Sequence, residues 1–212
     1  MDASIDRPRR GRPRKDPLAH ADTRAALIRA GMELLTGQSF AATGLDAVLK
    51  RVGIPKGSFY HYFESKEAFG RVLLDAYDAY FLAKLDRWLL DTSRPALDRL
   101  AAFVDDAKAG MARHNYTRGC LAGNLGIEVD ILPDDFRGTL ERVFQGWQAR
   151  VAACLHDAQQ AGELAPHADL DALAACFWIG WEGAVMRARL VRSDAPLDTF
   201  FKGFIAGLPR AQ

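Results

Sequence analysis

The chain has 212 residues, 49% of them hydrophobic and 26% charged, which is the composition of a globular protein and excludes disorder over most of its length. No apolar run reaches about 18 residues, so we predict no membrane span, and the basic, proline-rich start lacks the apolar segment of a signal peptide. Cys120, Cys154 and Cys176 are widely spaced. This spacing argues against a disulfide framework and predicts reduced thiols in a cytoplasmic protein.

The net charge of +1 conceals an uneven distribution of charge along the chain. Residues 1–66 contain 12 Lys and Arg against 7 Asp and Glu, whereas residues 67–212 contain 16 against 20. A basic N-terminal third joined to an acidic remainder indicates a polyanion-binding end. On charge alone, a chance scatter of surface residues is the alternative.

Six of the nine residues at positions 7–15 are basic, and the others include prolines and a glycine, so this segment is predicted to form no helix. We therefore assign residues 1–20 to a flexible basic arm. Arginines on a slim, extended backbone suit the narrow minor groove of A·T-rich DNA, although a solubilising tail would have the same composition. The DNA contacts predicted in the arm are Arg9, Arg10, Arg12 and Arg14.

Residues 21–66 show the pattern of three short helices. After Asp22, a predicted N-cap, one amphipathic stripe ends at Gly37 and a second at Gly53, and a third helix is predicted over 56–62. A helix, a glycine-containing turn and a short helix with cationic, hydroxyl and phenolic side chains are typical of a helix-turn-helix. Phe59 and Phe63 are predicted to face the core. The alternative is a three-helix domain with a solvated basic face. The predicted DNA contacts here are Thr43, Gly44, Leu45, Lys56, Gly57, Ser58, Tyr60, His61, Tyr62 and Lys66.

No strand alternation follows residue 65, so the rest of the chain is predicted to be a bundle of about six helices. Ser65 is the expected N-cap of a long helix that runs to about Leu90. Cys154 and Cys176 have apolar neighbours and are predicted to be packing residues. The remaining helices are expected over 96–114, 120–129, 134–161, 169–191 and 197–208.

Residues 43–67 closely resemble the DNA-binding signature of TetR-family transcriptional repressors, and this match runs without a gap over about residues 22–70. The resemblance implies an all-α homodimer with a helix-turn-helix DNA-binding domain at 21–66 and an effector-binding and dimerisation domain at 67–212. It implies double-stranded operator DNA of palindromic sequence as the partner. The family dimerises through its last two long helices, which places Gly180, Trp181, Gly183 and Ala184 at the interface; burial of this helix within one subunit is the alternative.

Residues 118–128 form an unusual predicted helix, because they are rich in glycine. Glycines weaken helices, so they indicate a close approach or a movement of the backbone. Cys120 stands near the helix N-terminus and near Arg118, two features that favour its thiolate. The thiol is either a sensor of electrophiles or a small buried group. The predicted effector contacts, each of which could instead be structural, are Tyr77, Arg118, Cys120, Asn124, Trp147 and Trp178, with Arg187 as a further cation.

The segments 114–128, 133–137 and 177–183 resemble the acrylate-responsive AcuR group of TetR repressors, and more distantly the NemR-type electrophile sensors. This resemblance implies a small reactive or carboxylate-bearing effector such as acrylate. Motifs of hydrolases, zinc proteases and phosphate-binding loops are lacking and the five histidines are scattered, so we predict neither an enzyme nor a metal or cofactor site. The alternatives are a thiol-based sensor acting through Cys120 and an architectural DNA-binding protein without an effector.

Overall fold

The computed structural model describes residues 17–211, and over this range the protein is all-α, as predicted. The arm arginines at positions 9, 10, 12 and 14 lie outside the described residues. Within residues 17–211, extended backbone pairs only at an isolated bridge between Leu164 and Arg210. None of the helices in this range is long and apolar enough to cross a membrane.

The helices of the described residues follow the predicted order closely. A single 3₁₀ turn, Val129–Ile131, separates the sixth and seventh helices. In chain order the helices are α1 Pro17–Leu35, α2 Leu45–Val52, α3 Lys56–Phe59, α4 Lys66–Leu89, α5 Ala96–Arg113, α6 Leu121–Ile127, α7 Asp135–Gln160, α8 Leu170–Val191 and α9 Ala195–Gly207.

Two predicted helix boundaries are wrong in the N-terminal part. α1 begins at Pro17 and not after Asp22, so residues 17–20 of the predicted arm are helical; proline suits the first turn of a helix because its missing N–H needs no intrahelical acceptor there. α3 ends at Phe59, and residues 60–62 form a turn. In that turn Tyr62 donates its backbone N–H to the Phe59 carbonyl three residues earlier, the tight spacing that commonly ends a helix.

The long helix α4 belongs to both parts of the molecule. Its predicted cap is confirmed, since the Ser65 hydroxyl accepts a hydrogen bond from Ala68 N at 3.0 Å. Near its start, Phe69 packs edge-on against Phe59, and Phe63 lies beside both rings, all three being buried. These contacts fasten α3 to α4, so the recognition segment moves with the first turns of α4.

Farther along, α4 packs into the C-terminal bundle, whose centre is aromatic. Phe81 lies 4.4 Å between ring centroids from Trp147, and Trp147 lies 5.1 Å from Trp178. Both tryptophans are fully buried, and Trp147 donates its indole N–H to Asp78 at 2.8 Å. The packed rings form the wall behind the cavity described below, although the buried indole N–H of Trp178 has no hydrogen-bond acceptor among the described residues.

Candidate functional site

The helix-turn-helix is formed by α2, a turn and α3. Gly53 closes α2 with φ 74° and ψ 30°, a left-handed conformation that glycine adopts without strain. Pro55 then leads into α3, and Phe59 at its end is completely buried, as predicted. The turn therefore sets the direction of α3, while Phe59 holds its inner face against the domain.

The predicted DNA contacts divide into an exposed set and a set with structural contacts. Lys56, Gly57, His61 and Tyr60, of which Tyr60 is 57% exposed, lie together on the outer surface of α3 and the following turn. Lys56 Nζ lies 3.4 Å from Asp46 in an ion pair whose two side chains are mostly exposed. A phosphate can displace such a weak surface pair.

The second set lies at the edges of this surface. Thr43 is buried, and its hydroxyl donates to the Ser39 carbonyl at 2.6 Å. Lys66 donates to the Ala41 carbonyl at 3.3 Å and lies over the Phe40 ring. Gly44 caps α2, Leu45 is its first residue, and Ser58 and Tyr62 are partly buried.

A cavity of about 420 Å³ lies between α1, α4, α5, α8 and the segment before α6. Three of the six predicted effector residues border it: Tyr77, Arg118 and Cys120. Asn124 instead bonds to the end of α1, and the two buried tryptophans belong to the aromatic core, so the structure does not bring these three to the cavity. A volume of this size is ordinary for a small-molecule site.

The inner end of the cavity holds a polar cluster of Tyr77, Cys120 and Glu182. Cys120 caps α6, with Sγ accepting from Gly123 N at 3.3 Å. Burial and the neighbouring Glu182 carboxylate raise the pKa of the Cys120 thiol well above its usual value. Burial and the negative neighbour thus act against the thiolate, in the opposite direction to the helix N-terminus and Arg118. Burial, with Cys120 and Glu182 nearby, likewise raises the pKa of Tyr77.

Glu182 is a cavity residue that the sequence analysis missed. Burial raises the pKa of its carboxyl group to about 7, against a hydrogen bond with Cys120 that lowers it. Its Oε2 lies against Gly123 so closely that any Cβ at position 123 would overlap it. The available signal was a single carboxylate within an otherwise apolar stretch of α8, and this approach explains the glycine at position 123.

The mouth of the cavity is basic. Arg118 lies 3.6 Å from Glu33 of α1, and Lys84 of α4 pairs with Asp106 at 2.8 Å. The other charged or titratable residues that border it are Arg29, Arg113 and His114. The cationic excess at the entrance favours the approach of an anion.

The segment that carries Cys120 is bonded directly to the end of α1. Gly119 donates its N–H to the Thr36 carbonyl at 2.7 Å, and Asn124 Nδ2 donates to the Leu35 carbonyl at 2.7 Å. Arg189 of α8 joins the same junction, with Nη1 at 3.1 Å from Asn124 Oδ1 and Nη2 at 2.8 Å from the Gly37 carbonyl.

Glu128, at the end of α6, extends this connection to the loop before α2. Its two carboxylate oxygens accept the backbone N–H groups of Phe40 and Ala41, each at 2.8 Å. The wall of the cavity and the approach to the helix-turn-helix thus share one continuous set of hydrogen bonds, in which charged groups contact backbone.

The predicted interface residues of α8 face in different directions. Trp181 is buried in its own subunit, stacked on Phe177, and Gly180 lies against Phe200 of α9 without room for a Cβ. Ala184 is buried and Gly183 is exposed. The outer face of α8 also exposes four apolar side chains, Ile179, Met186, Leu190 and Val191.

The two cysteines predicted to be packing residues differ in their burial. Cys154 is buried, with its thiol 3.2 Å from the Ala96 carbonyl, whereas Cys176 is exposed on α8, so its prediction as a packing residue is wrong. Within residues 17–211, no three His, Cys, Asp or Glu side chains are grouped to hold a metal ion.

Comparison with known proteins extends these observations. Residues 27–70 match the family described as bacterial regulatory proteins, tetR family, and residues 96–204 match the tetracyclin repressor-like C-terminal domain. The transcriptional regulator AcuR of Cereibacter sphaeroides is 51% identical over 201 residues, which cover 93% of this chain and 90% of that protein.

Two further similarities cover most of the chain. The HTH-type transcriptional repressor NemR of Escherichia coli is 32% identical over 177 residues, 84% of this chain and 89% of its own. A crystal structure of regulatory protein TetR from Rhodobacter sphaeroides superposes with a TM-score of 0.86 at 49% identity, over 88% of this chain and 98% of that one. The chain belongs to the TetR family of DNA-binding transcriptional regulators, which are not enzymes.

Proposed function

We propose that the protein is a cytoplasmic, homodimeric repressor that binds a palindromic operator and is released by a small effector bound in the cavity. The arm predicted at residues 1–20, apart from residues 17–20 that belong to α1, would contact DNA. Residues 21–66 would form the DNA-binding domain together with the start of α1, and residues 67–212 the effector-binding and dimerisation domain. Two copies of α3 would enter successive major grooves about one helical turn apart. The exposed α3 set of Lys56, Tyr60 and His61 would contact the DNA.

The observation that carries this proposal is the shared wall between the cavity and the DNA-binding part. Glu33 of α1 and Thr36, the residue that follows α1, border the cavity, and the Thr36 carbonyl also accepts the hydrogen bond from Gly119. A ligand that displaces the segment before α6 must therefore alter the contacts that hold the end of α1. Because α1 and α4 position α3, the two recognition helices of a dimer would change their separation.

The effector shifts this equilibrium only as far as it binds the released state better than the operator-bound state. Two contacts are candidates for a difference between these states: that of Arg118 with Glu33 and that of Arg189 with Gly37. Each joins the cavity region to α1 or to the residues directly after it. The cavity effector contacts that we retain are Tyr77, Arg118 and Cys120.

Resemblance to the acrylate-responsive group favours acrylate or a related unsaturated compound as the effector. The basic mouth supports a carboxylate, because cations at an entrance raise the local concentration of anions. The cavity also has room for chains longer than acrylate, so longer unsaturated acids belong in the same titration.

The dimer is proposed to form through α8 and α9. The exposed apolar side chains Ile179, Met186 and Leu190 share one face of α8 with Gly183 and flank a groove toward α9. An apolar helical face with a small residue at its centre suits close packing against a second copy.

Fluorescence anisotropy on DNA from the gene's own upstream region, with and without acrylate, tests this function. We expect tight binding that acrylate reverses. Tight DNA binding that is unaffected by acrylate and by longer unsaturated acids would support a DNA-binding regulator and exclude this class of effector. An architectural DNA-binding protein would give the same result. Absence of binding at low salt would contradict the proposal.

A thiol-based sensor is the second candidate, because Cys120 Sγ borders the cavity. The raised pKa of this thiol disfavours it, since only the thiolate adds to an unsaturated carbonyl compound at a useful rate. We expect the Cys120→Ala variant to keep its response to acrylate, and peptide mass spectrometry of the wild-type protein to find no acrylate adduct on Cys120. Loss of the response in Cys120→Ala, with an adduct on Cys120, would favour the sensor.

A further inference from the structure

One carboxyl oxygen at the inner end of the cavity lacks a hydrogen-bond partner among the described residues. Glu182 Oε1 is buried, and no described residue places a donor within hydrogen-bonding distance of it. The opposite oxygen, Oε2, occupies the space that a Cβ at position 123 would take, so the carboxyl group lies directly against Gly123. Buried polar atoms are almost always satisfied in native proteins, and an unsatisfied one next to a cavity indicates where a ligand or a proton belongs.

The surroundings of Glu182 restrict what can bind there. The entrance contributes four cations, Arg29, Lys84, Arg113 and Arg118, against the carboxylates of Glu33 and of Asp106, which pairs with Lys84. The inner end contributes the carboxyl group of Glu182. The positive entrance favours an anionic ligand. An anionic ligand that reaches Glu182 would meet a like charge in a poorly solvated place unless one proton lies between them.

We propose that Glu182 is a ligand-binding residue and that it holds the carboxylate of a small monocarboxylic acid through one shared proton. This inference rests on the proposed function, because it concerns the effector of the same cavity. The proton comes from solvent, it lies between Glu182 Oε1 and a ligand oxygen, and no covalent bond forms. The Tyr77 hydroxyl, which belongs to the same cluster, can also donate a hydrogen bond to the ligand.

The neighbouring titratable groups leave Glu182 as the group of this cluster that changes charge near neutrality. The pKa values of Tyr77 and Cys120 are both raised by burial, so both side chains stay protonated. His114 of α5 also borders the cavity, and histidine side chains ordinarily titrate between pH 5 and 8. A protonated His114 would also attract an anion at low pH, so it would change the ligand affinity with pH in the same direction as Glu182. The test must therefore separate the two residues.

The probe is propionate, which has the carboxyl group of acrylate and cannot add to a thiol. Because the pKa of Glu182 is about 7, its side chain is ionised above pH 7 in the unliganded protein. At such a pH, Glu182 must take up a proton when propionate binds. We expect the Kd for propionate to rise about tenfold between pH 6 and pH 8, as one proton is taken up with the ligand. Glu182→Gln should bind with a Kd independent of pH over this range, and His114→Gln should keep the tenfold change.

Isothermal titration of the wild-type protein at pH 8 in buffers of different ionisation enthalpy measures the same event without any substitution. We expect an uptake of about one proton per propionate bound, falling toward zero at pH 6. Thermal unfolding and operator binding of Glu182→Gln show whether this variant folds. If it does not fold, proton uptake by the wild-type protein still tests the inference.

Several results would overturn the inference. A pH-independent Kd, no proton uptake, or a pH dependence that vanishes in His114→Gln and survives in Glu182→Gln would each remove Glu182 from ligand binding while leaving the proposed repressor intact. A lack of binding of propionate and acrylate at pH 6 would remove the monocarboxylate as ligand. Operator binding measured in the same sample then shows whether the proposed repressor function is contradicted as well.

Discussion

Arg189 on α8 and Gly37 at the end of α1 are joined by a hydrogen bond of 2.8 Å from Nη2 to the carbonyl oxygen, across 152 positions of sequence. The same guanidinium holds Asn124, whose amide reaches the carbonyl of Leu35. One side chain therefore ties the C-terminal bundle, the cavity wall and the end of the first DNA-binding helix together.

We expect Arg189→Ala to uncouple effector binding from operator release. Partly buried hydrogen bonds from a charged group contribute about 1–2 kcal/mol, so the effector-induced change in operator affinity should fall by about 5- to 30-fold. Effector affinity, measured by calorimetry, should change far less. Arg142→Ala is the control, because the hydrogen bond of Arg142 among the described residues is to Thr139 of the same helix, α7. An unchanged release ratio in Arg189→Ala would contradict the proposed connection.

Gly123→Ala should damage the cavity, whereas Gly126→Ala in the same helix should not. A Cβ at position 123 would overlap the Glu182 carboxylate, and a Cβ at 126 meets no atom within 4 Å. Alanine in open helical positions stabilises by up to about 1 kcal/mol, so Gly126→Ala should unfold at a slightly higher temperature. We expect Gly123→Ala to lose effector response and stability. Equal melting temperatures in the two variants would disprove the close approach.

Glu182 should make the folded protein less stable as the pH rises. Its pKa is raised to about 7 in the folded state by burial, from an ordinary value of 4.5, so the folded state binds the proton more tightly than the unfolded state. Stability is therefore lost as the pH rises from about 4.5 to 7.

Glu182→Gln removes this titration, and its stability relative to the wild type should increase by about 2 kcal/mol between pH 5 and pH 8. Denaturant unfolding of both proteins at the two pH values measures the difference. A constant difference would show that Glu182 stays ionised, or stays protonated, throughout this range.

Lys56→Ala should weaken operator binding in a manner that depends on salt. Lys56 lies on the exposed surface of α3 beside Asp46, with which it forms only a solvated pair. Removal of one phosphate contact lowers the slope of log K against log salt by about 1 for each recognition helix bound. Arg142→Ala, on α7, should leave the slope unchanged. An unaltered slope in Lys56→Ala would place this lysine away from the phosphates.

The sequence alone determined the helical architecture and the helix-turn-helix, because both depend on local rules. The spacing of apolar residues defines each helix, the glycine at position 53 supplies the left-handed turn, and Ser65 supplies a cap from its own hydroxyl. Such features are decided within a few residues, so they can be read along the chain. The shift of the start of α1 to Pro17 changes its length without changing this order.

Only the tertiary structure decided which side chains share the cavity. Cys120, Tyr77 and Glu182 come from three separate elements, and nothing local to any one of them indicates the others. The two readings of Cys120 could not be decided along the chain for the same reason, since the helix N-terminus is visible in the sequence and the burial beside Glu182 is not. A pKa depends on every charge and on the solvent within several ångströms, and these are fixed by packing between residues distant in sequence.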